Sequence, residues 1–214
     1  MGNYFLTAQD SFDIKFRLYG KMNATNSKEN TMTATIIIIV ILVLLIIAYV
    51  SMYNGLVRYR NRAKEFSSQI DVQLKRRTDL IPNLVETVKG YAAHEKDTLN
   101  KVVQSRNQVV SANSQQEKAA ADNALTGALR QVFALSESYP DLKANQEFQS
   151  LMEELSNTEN KISYARQAYN SQVQQYDTAI ETFPRNIVAG IHKFQAIDFI
   201  SVPETEKEAP KVKF

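Results

Sequence analysis

Between Thr31 and Val57 the chain reads TMTATIIIIVILVLLIIAYVSMYNGLV, 27 residues without a charged side chain. Its centre, Ile36 to Ala48, is unbroken aliphatic sequence. A bilayer core about 30 Å thick is crossed by about 20 apolar residues in a helix, and lipid offers the backbone no other hydrogen-bond partner. The stretch therefore predicts one transmembrane helix over 31–53. A cleaved signal peptide fits less well, because the run exceeds a usual apolar core and lacks a small-x-small cleavage site. A helix buried in a soluble core would carry polar residues on some face, and Ile36 to Val50 has only Tyr49. The rest of the chain is ordered by this anchor: a polar tail over 1–30, a helical domain over 54–203 and a charged tail over 204–214.

The first 30 residues are polar and of mixed charge, with no helical or strand period, and are expected to lack packed structure. They open Met-Gly, but Leu6 breaks the myristoylation pattern; Met22 and Met32 are alternative starts. Basic residues near the anchor set orientation. Arg17, Lys21 and Lys28 precede it, while Arg58, Arg60, Arg62 and Lys64 follow closely, with Lys75, Arg76 and Arg77 beyond. That bias places the C-terminal domain in the cytoplasm and the N-terminus outside. Arg58, Arg60, Arg62 and Lys64 read in two ways. They are a solvated helix face, or a contact with anionic headgroups in which each charge contributes about 1 kcal/mol.

Beyond the anchor lie about 160 residues, enough for one domain. The net charge of +2 gives no general attraction to nucleic acid. Cysteine is absent, which removes disulfides, thiolate metal sites and thiol nucleophiles. Only five prolines and six glycines interrupt the chain, which favours long helices.

The helical period continues past Tyr53. Leu56, Ala63, Phe66, Ile70, Leu74, Ile81, Leu84, Val88 and Tyr91 form one stripe. It survives Pro82, so the spacing predicts a first long helix kinked near Thr78–Pro82 and ending around Gly90–His94. The rival is a true break at Arg77–Asp79 with Thr78 as N-cap. A second helix carries Leu99, Val102, Val103, Val109 and Val110, and Ser111–Ser114 is a turn. A third, about 116–135, carries Leu125, Leu129, Val132 and Phe133, and Ser136–Asp141 ends it.

The fourth helix has the strictest pattern. Phe148, Leu155, Ile162, Tyr169, Tyr176 and Phe183 are each seven apart, with Met152, Val173 and Ile180 as companions. A sustained seven-residue repeat makes a left-handed packing seam. The predicted fold is all-α: an N-terminal transmembrane helix followed by an antiparallel four-helix bundle with long coiled-coil-like helices. Pro184 stops the fourth helix, Asn186–Phe194 allows a short helix, and Gln195–Pro203 reads as extended. Phe194, Ile197, Phe199, Ile200 and Val202 are apolar enough to dock it on the bundle.

No catalytic motif is present. The residues three before His94 and His192 are Tyr91 and Ala189, so neither histidine completes the Glu-x-x-His pattern of di-metal bundles. No phosphate-binding loop, dinucleotide fingerprint or nucleophile elbow occurs. The expectation is no enzyme, no metal, no cofactor, no small-molecule substrate and no nucleic acid. One polar constellation does interrupt the stripes: Asp71, Gln73, Arg76, Arg77, Asp79 and Asn83 around the proline, and Asn160, Arg166 and Asn170 on the fourth helix. It reads either as a buried network that fixes helix register or as a partner-binding or self-assembly surface.

Three blocks of the chain resemble the LemA family closely: YNGLVRYRN at 53–61, IDVQLKRRTDLIPNLVETVKGYAAHE at 70–95, and LSNTENKISYARQAYNSQVQQYDTAIETFPRNIVAG at 155–190. The ending KFQAIDFISVPETEKEAPKVKF is similar as well, so the resemblance runs from about Thr33 onward. It implies a bacterial, single-pass protein of the cell's inner membrane, with a short outside tail and a cytoplasmic bundle. It brings no established biochemical activity and no catalytic residues. Two departures stand out: the 30-residue tail is long for the family, and Asp177 stands where asparagine is expected.

The leading functional expectation is a membrane-anchored, non-enzymatic scaffold that meets other proteins, or copies of itself, through its bundle. A second is a sensor or signal transmitter with the Pro82 region as its bistable element. A third, less favoured, is a carboxylate metal enzyme using Glu153, Glu154 and Glu159.

Overall fold

The computed structural model describes the backbone of residues 8–201 and, of their side chains, 15–19, 21 and 30–201. The chain divides into two units, Met1–Met52 and Tyr53–Phe214. Among the described residues six helices form and no strand: α1 (Ala8–Tyr91), α2 (Lys96–Ser111), α3 (Gln115–Ser136), α4 (Pro140–Ala144), α5 (Gln146–Glu181) and α6 (Arg185–Ile191).

The first unit is helical from Ala8. Residues 8–30 are thus helical although their sequence shows no helical period. No proline interrupts them, and extending a helix already fixed by its neighbour costs far less than starting one. Their described side chains are exposed. So is every side chain from Ile36 to Ile47, at 49–62%.

In the second unit, α1 from Tyr53, α2, α3 and α5 run up, down, up and down. Numbers rise together where α1 meets α3: Asp71 pairs with Lys118, and Arg77 with Asp122. They run oppositely where α1 meets α5: Arg76 pairs with Glu154, and Asn145 donates to the Tyr91 hydroxyl. The antiparallel long helices of the sequence reading are thus present. Along their seam, Leu56, Ala63, Ile70 and Leu84 of α1 and Phe148, Leu155, Ile162, Tyr169 and Tyr176 of α5 are all buried.

The predicted stripes are too wide at their margins. Val103, Val110 and Phe133 are exposed. Each lies about 100° around its helix from a buried neighbour, Val102, Val109 or Val132, and α2 and α3 pack along narrow faces. Phe183 is exposed because α5 ends at Glu181, and Tyr91 is exposed at the last residue of α1. Pro140 opens the short α4 instead of only ending α3, a favoured place for a residue without an amide donor.

α1 passes through Pro82 unbroken. Proline removes the amide that would bond the carbonyl four residues back, at Thr78. Arg106 of α2 replaces it, donating from Nε to the Thr78 carbonyl at 3.2 Å. The α2–α3 turn is closed by a capping box. Ser114 Oγ accepts from the Glu117 amide at 3.1 Å, and the Glu117 carboxylate accepts from the Asn113 and Ser114 amides. Those backbone bonds hold Glu117 below the ordinary carboxylate range.

Candidate functional site

The bundle centre holds three charged side chains. Arg77 is 1% exposed, Asp122 2% and Arg166 7%. Asp122 Oδ1 accepts from Arg77 Nη1 at 2.7 Å, and its Oδ2 accepts from Arg166 Nη2 at 2.8 Å. Arg77 Nη2 donates to Glu159 at 3.2 Å, and Arg166 Nη1 to Asn123 at 3.1 Å. Two cations and two carboxylates thus meet on α1, α3 and α5. Charges removed from water are tolerated only in such an arrangement, and each short charge-assisted bond fixes one helix against another.

The heptads place these groups. Arg77 lies seven beyond Ile70 and seven before Leu84, so it occupies the seam of α1. Glu159 and Arg166 fill the two gaps between Met152 and Val173 in the companion row of α5. Asp122 was not among the residues singled out from sequence. Its signal was available: it stands three before Leu125 and seven before Leu129, on the apolar stripe of an alanine-rich helix.

The predicted polar cluster separates into distinct places. Arg77 and Arg166 join through Asp122. Asp71 binds Lys118 at 2.8 Å and Gln115 at 3.0 Å, linking α1 to α3. Arg76 ties α1 to Glu154 of α5. Asp79 pairs with Lys75 on the surface at 3.0 Å, and Asn83 is exposed. Asn160 is exposed at a groove of about 760 Å³ between α1 and α5, which Val72, Gln73 and Tyr164 also line.

Asn170 does something else. It accepts from the Ile200 amide at 2.9 Å and donates to the Ile200 carbonyl at 2.8 Å, as a neighbouring strand would. Tyr169 and Tyr176 donate to the Asp198 and Gln195 carbonyls at 3.1 and 2.9 Å, and Asp177 accepts from the Ile197 amide at 3.2 Å. Two adjacent residues repeated at a seven-residue interval thus clamp an extended strap, 194–201, along α5. Ile200 is buried and Ile197 packs on the core, as expected, whereas Phe199 is exposed. Val202 and the tail 204–214 lie outside the described residues. Burial, then the charges of Asp198 and Asp177, raises the Tyr169 phenol above its ordinary value; burial likewise raises Tyr176.

Of the basic residues after the anchor, Arg58, Arg62 and Lys64 are exposed. Arg60 is half-buried, its guanidinium 5.1 Å from the Phe194 ring centroid. Phe194 in turn meets Tyr53 edge-on, with ring centroids 5.9 Å apart, and the His192 ring packs at a tilt against Tyr53 at 4.6 Å.

These features define a class: an all-helical chain with one helix apolar enough to cross a membrane and a bundle whose long helices are locked by a buried Arg–Asp–Arg contact. The chain belongs to the LemA family, whose family model matches residues 66–214. It is 32% identical over 145 residues to Protein LemA of Metamycoplasma hominis, a match covering 66% of this chain and 65% of that protein. It is 22% identical over 180 residues to Magnetosome protein MamQ of Magnetospirillum gryphiswaldense, covering 72% of this chain and 66% of that one. In neither relative does the match reach two thirds of the protein's length. The family resemblance read from the sequence is borne out, and the blocks at 70–95 and 155–190 lie within the matched residues while the block at 53–61 precedes them.

Proposed function

We propose that this chain is a membrane-anchored, non-enzymatic helical scaffold. It sits in a bacterial inner membrane with its N-terminus outside, and it presents its cytoplasmic bundle to other proteins or to copies of itself. One observation carries the reading: the unbroken exposure of Ile36 to Ile47. An apolar surface of that extent needs an apolar surrounding, and the uncharged run 31–57 that contains it is long enough as a helix to cross a bilayer. The basic residues after the anchor support the orientation.

The polar core supports a structural role. Arg77, Asp122 and Arg166 are spent on one another, and the groove of about 360 Å³ that Arg77 and Glu159 also line brings these two together as an ion pair. Two of the carboxylates named for a metal enzyme are turned to cations, Glu154 to Arg76 and Glu159 to Arg77. The transmitter reading keeps the continuous helix it needs, but the carbonyl freed at Pro82 is bonded to Arg106, which favours a fixed joint there.

Crosslinking in native membranes, followed by mass spectrometry of the adducts, tests the proposal. Crosslinks from the bundle surface to a second protein, or to another copy, are expected. A protein that stays monomeric and adduct-free at every crosslinker length would overturn it.

A further inference from the structure

Helix α6 is inverted relative to an ordinary surface helix. Val188 and Ala189 face inward, at 2% and 3% exposure, and are followed by a tight C-terminal turn. There Phe194 N donates to the Ala189 carbonyl and Lys193 N to the Gly190 carbonyl. The outward face should be polar. Instead Ile187 and Ile191, one turn apart, are 54% and 62% exposed, and Phe183 just before the helix is 74% exposed.

The position of this apolar face is fixed by two contacts. At the end of α6, the His192 ring packs at a tilt against Tyr53, with centroids 4.6 Å apart. At its start, the Arg185 guanidinium lies 5.9 Å from the Tyr59 ring centroid. α6 therefore runs antiparallel to this part of α1, with its Ile191 end toward Tyr53. The uncharged run, as a helix, is about 40 Å long, about 10 Å more than a bilayer core. Its last residues, Tyr53 to Val57, would then stand at headgroup level, and α6 beside them. Tyrosines such as Tyr53 favour that level. The charges agree: Arg185 and Lys193 bracket α6, and Arg58, Arg62 and Lys64 are exposed on the neighbouring turns.

We infer that α6 is a second membrane contact. It dips its Ile191 end into the interface of the leaflet next to the bundle, while the surrounding arginines and lysines meet anionic headgroups. Ile191 sits deepest, Ile187 a turn shallower and Phe183 shallowest. The contact gives the bundle a second point of attachment to the leaflet besides its single helical tether. This rests on the reading that 31–53 crosses the membrane.

The absence of cysteine makes the test direct. Single cysteines at Phe183, Ile187 and Ile191 are placed in the full chain and labelled with an environment-sensitive fluorophore. The protein is then reconstituted in phosphatidylglycerol-containing vesicles carrying a shallow nitroxide lipid. Ile41→Cys serves as the anchor control and Ser138→Cys as the aqueous one, each variant being checked for native helical dichroism. Probes at Ile191 and Ile187 should be quenched several-fold more than at Ser138, in the order Ile191, Ile187, Phe183. Probes at α6 that behave like Ser138 while a deep nitroxide lipid quenches Ile41 would overturn the inference and leave the anchor standing. An α6 probe shielded from water but untouched by quencher lipid would also overturn it, in favour of a protein covering that face. An unquenched Ile41 would sink the anchor reading and this one with it.

Discussion

Replacing Asp122 by alanine should cost the bundle more than any single aliphatic truncation at its edge. Asp122 accepts from both arginines, at 2.7 and 2.8 Å, and is 2% exposed. In Asp122→Ala, Arg77 keeps Glu159 at 3.2 Å, while Arg166 loses the Asp122 carboxylate and keeps the neutral Asn123 and Ala119 oxygens. Removing one partner of a buried ion pair costs about 3–5 kcal/mol. A domain holds about 5–15 kcal/mol in all, so the loss is a large share of it. At about 2–4 °C per kcal/mol, the melting point should fall by about 6–20 °C. The assay is thermal unfolding of the full chain in mild detergent, followed by the near-ultraviolet dichroism of the buried tyrosines, which reports the bundle while the anchor stays helical. Because the penalty comes from a buried arginine deprived of its carboxylate, adding Arg166→Met to Asp122→Ala should recover part of the loss. With all three positions apolar, the bundle should return to within about 2 kcal/mol of the parent or exceed it. A loss in Asp122→Ala below about 1 kcal/mol, or a further loss on adding Arg166→Met, would refute the reasoning.

Arg106→Ala should destabilise by about 1–3 kcal/mol, because it strands the Thr78 carbonyl. In a Pro82→Ala background, which restores the helical donor, the same substitution should cost measurably less, as a double-mutant cycle in chemical unfolding would show. Tyr169 and Tyr176 have raised folded pKa values, so their contribution is fully present below the ordinary tyrosine value of 10.0 and is lost as pH rises through the folded one. The Ile200 amide should therefore lose hydrogen-exchange protection, beyond the base-catalysed rate, only above about pH 10, together with late tyrosinate absorbance. Lys193 adopts a left-handed conformation, φ 54°, at the turn after α6. Lys193→Gly should stabilise the bundle by up to about 1 kcal/mol in chemical unfolding.

What could be read from sequence followed from periodicity. A seven-residue repeat over 148–176 dictates one long packed helix whatever surrounds it, and the apolar run of 31–57 leaves few alternatives to a membrane helix. Periodicity gives the centre of a stripe better than its edges, hence the exposed Val103, Val110 and Phe133. It cannot distinguish polar residues that share a face from those that share a partner. Asp71, Asp79 and Asn83 are close along α1 but go to three different surroundings. Asp122, which joins Arg77 to Arg166, lies on another helix 45 residues away in sequence from Arg77. Its place was legible only by treating a charged residue on an alanine-rich apolar stripe as a demand for buried cations. The strap clamp was hidden for a similar reason: Asn170 stood out as polar and Asp177 as a family departure, but neither shows its role until an extended segment lies beside it.

The central claim is that the apolar helix lies in lipid and holds the bundle to it. Alkaline carbonate extraction of membranes from cells expressing the full chain tests this most directly, since it strips peripheral proteins and leaves spanning ones. The account predicts that the chain remains in the membrane pellet and is released only by detergent; recovery of the intact chain in the carbonate supernatant would contradict it.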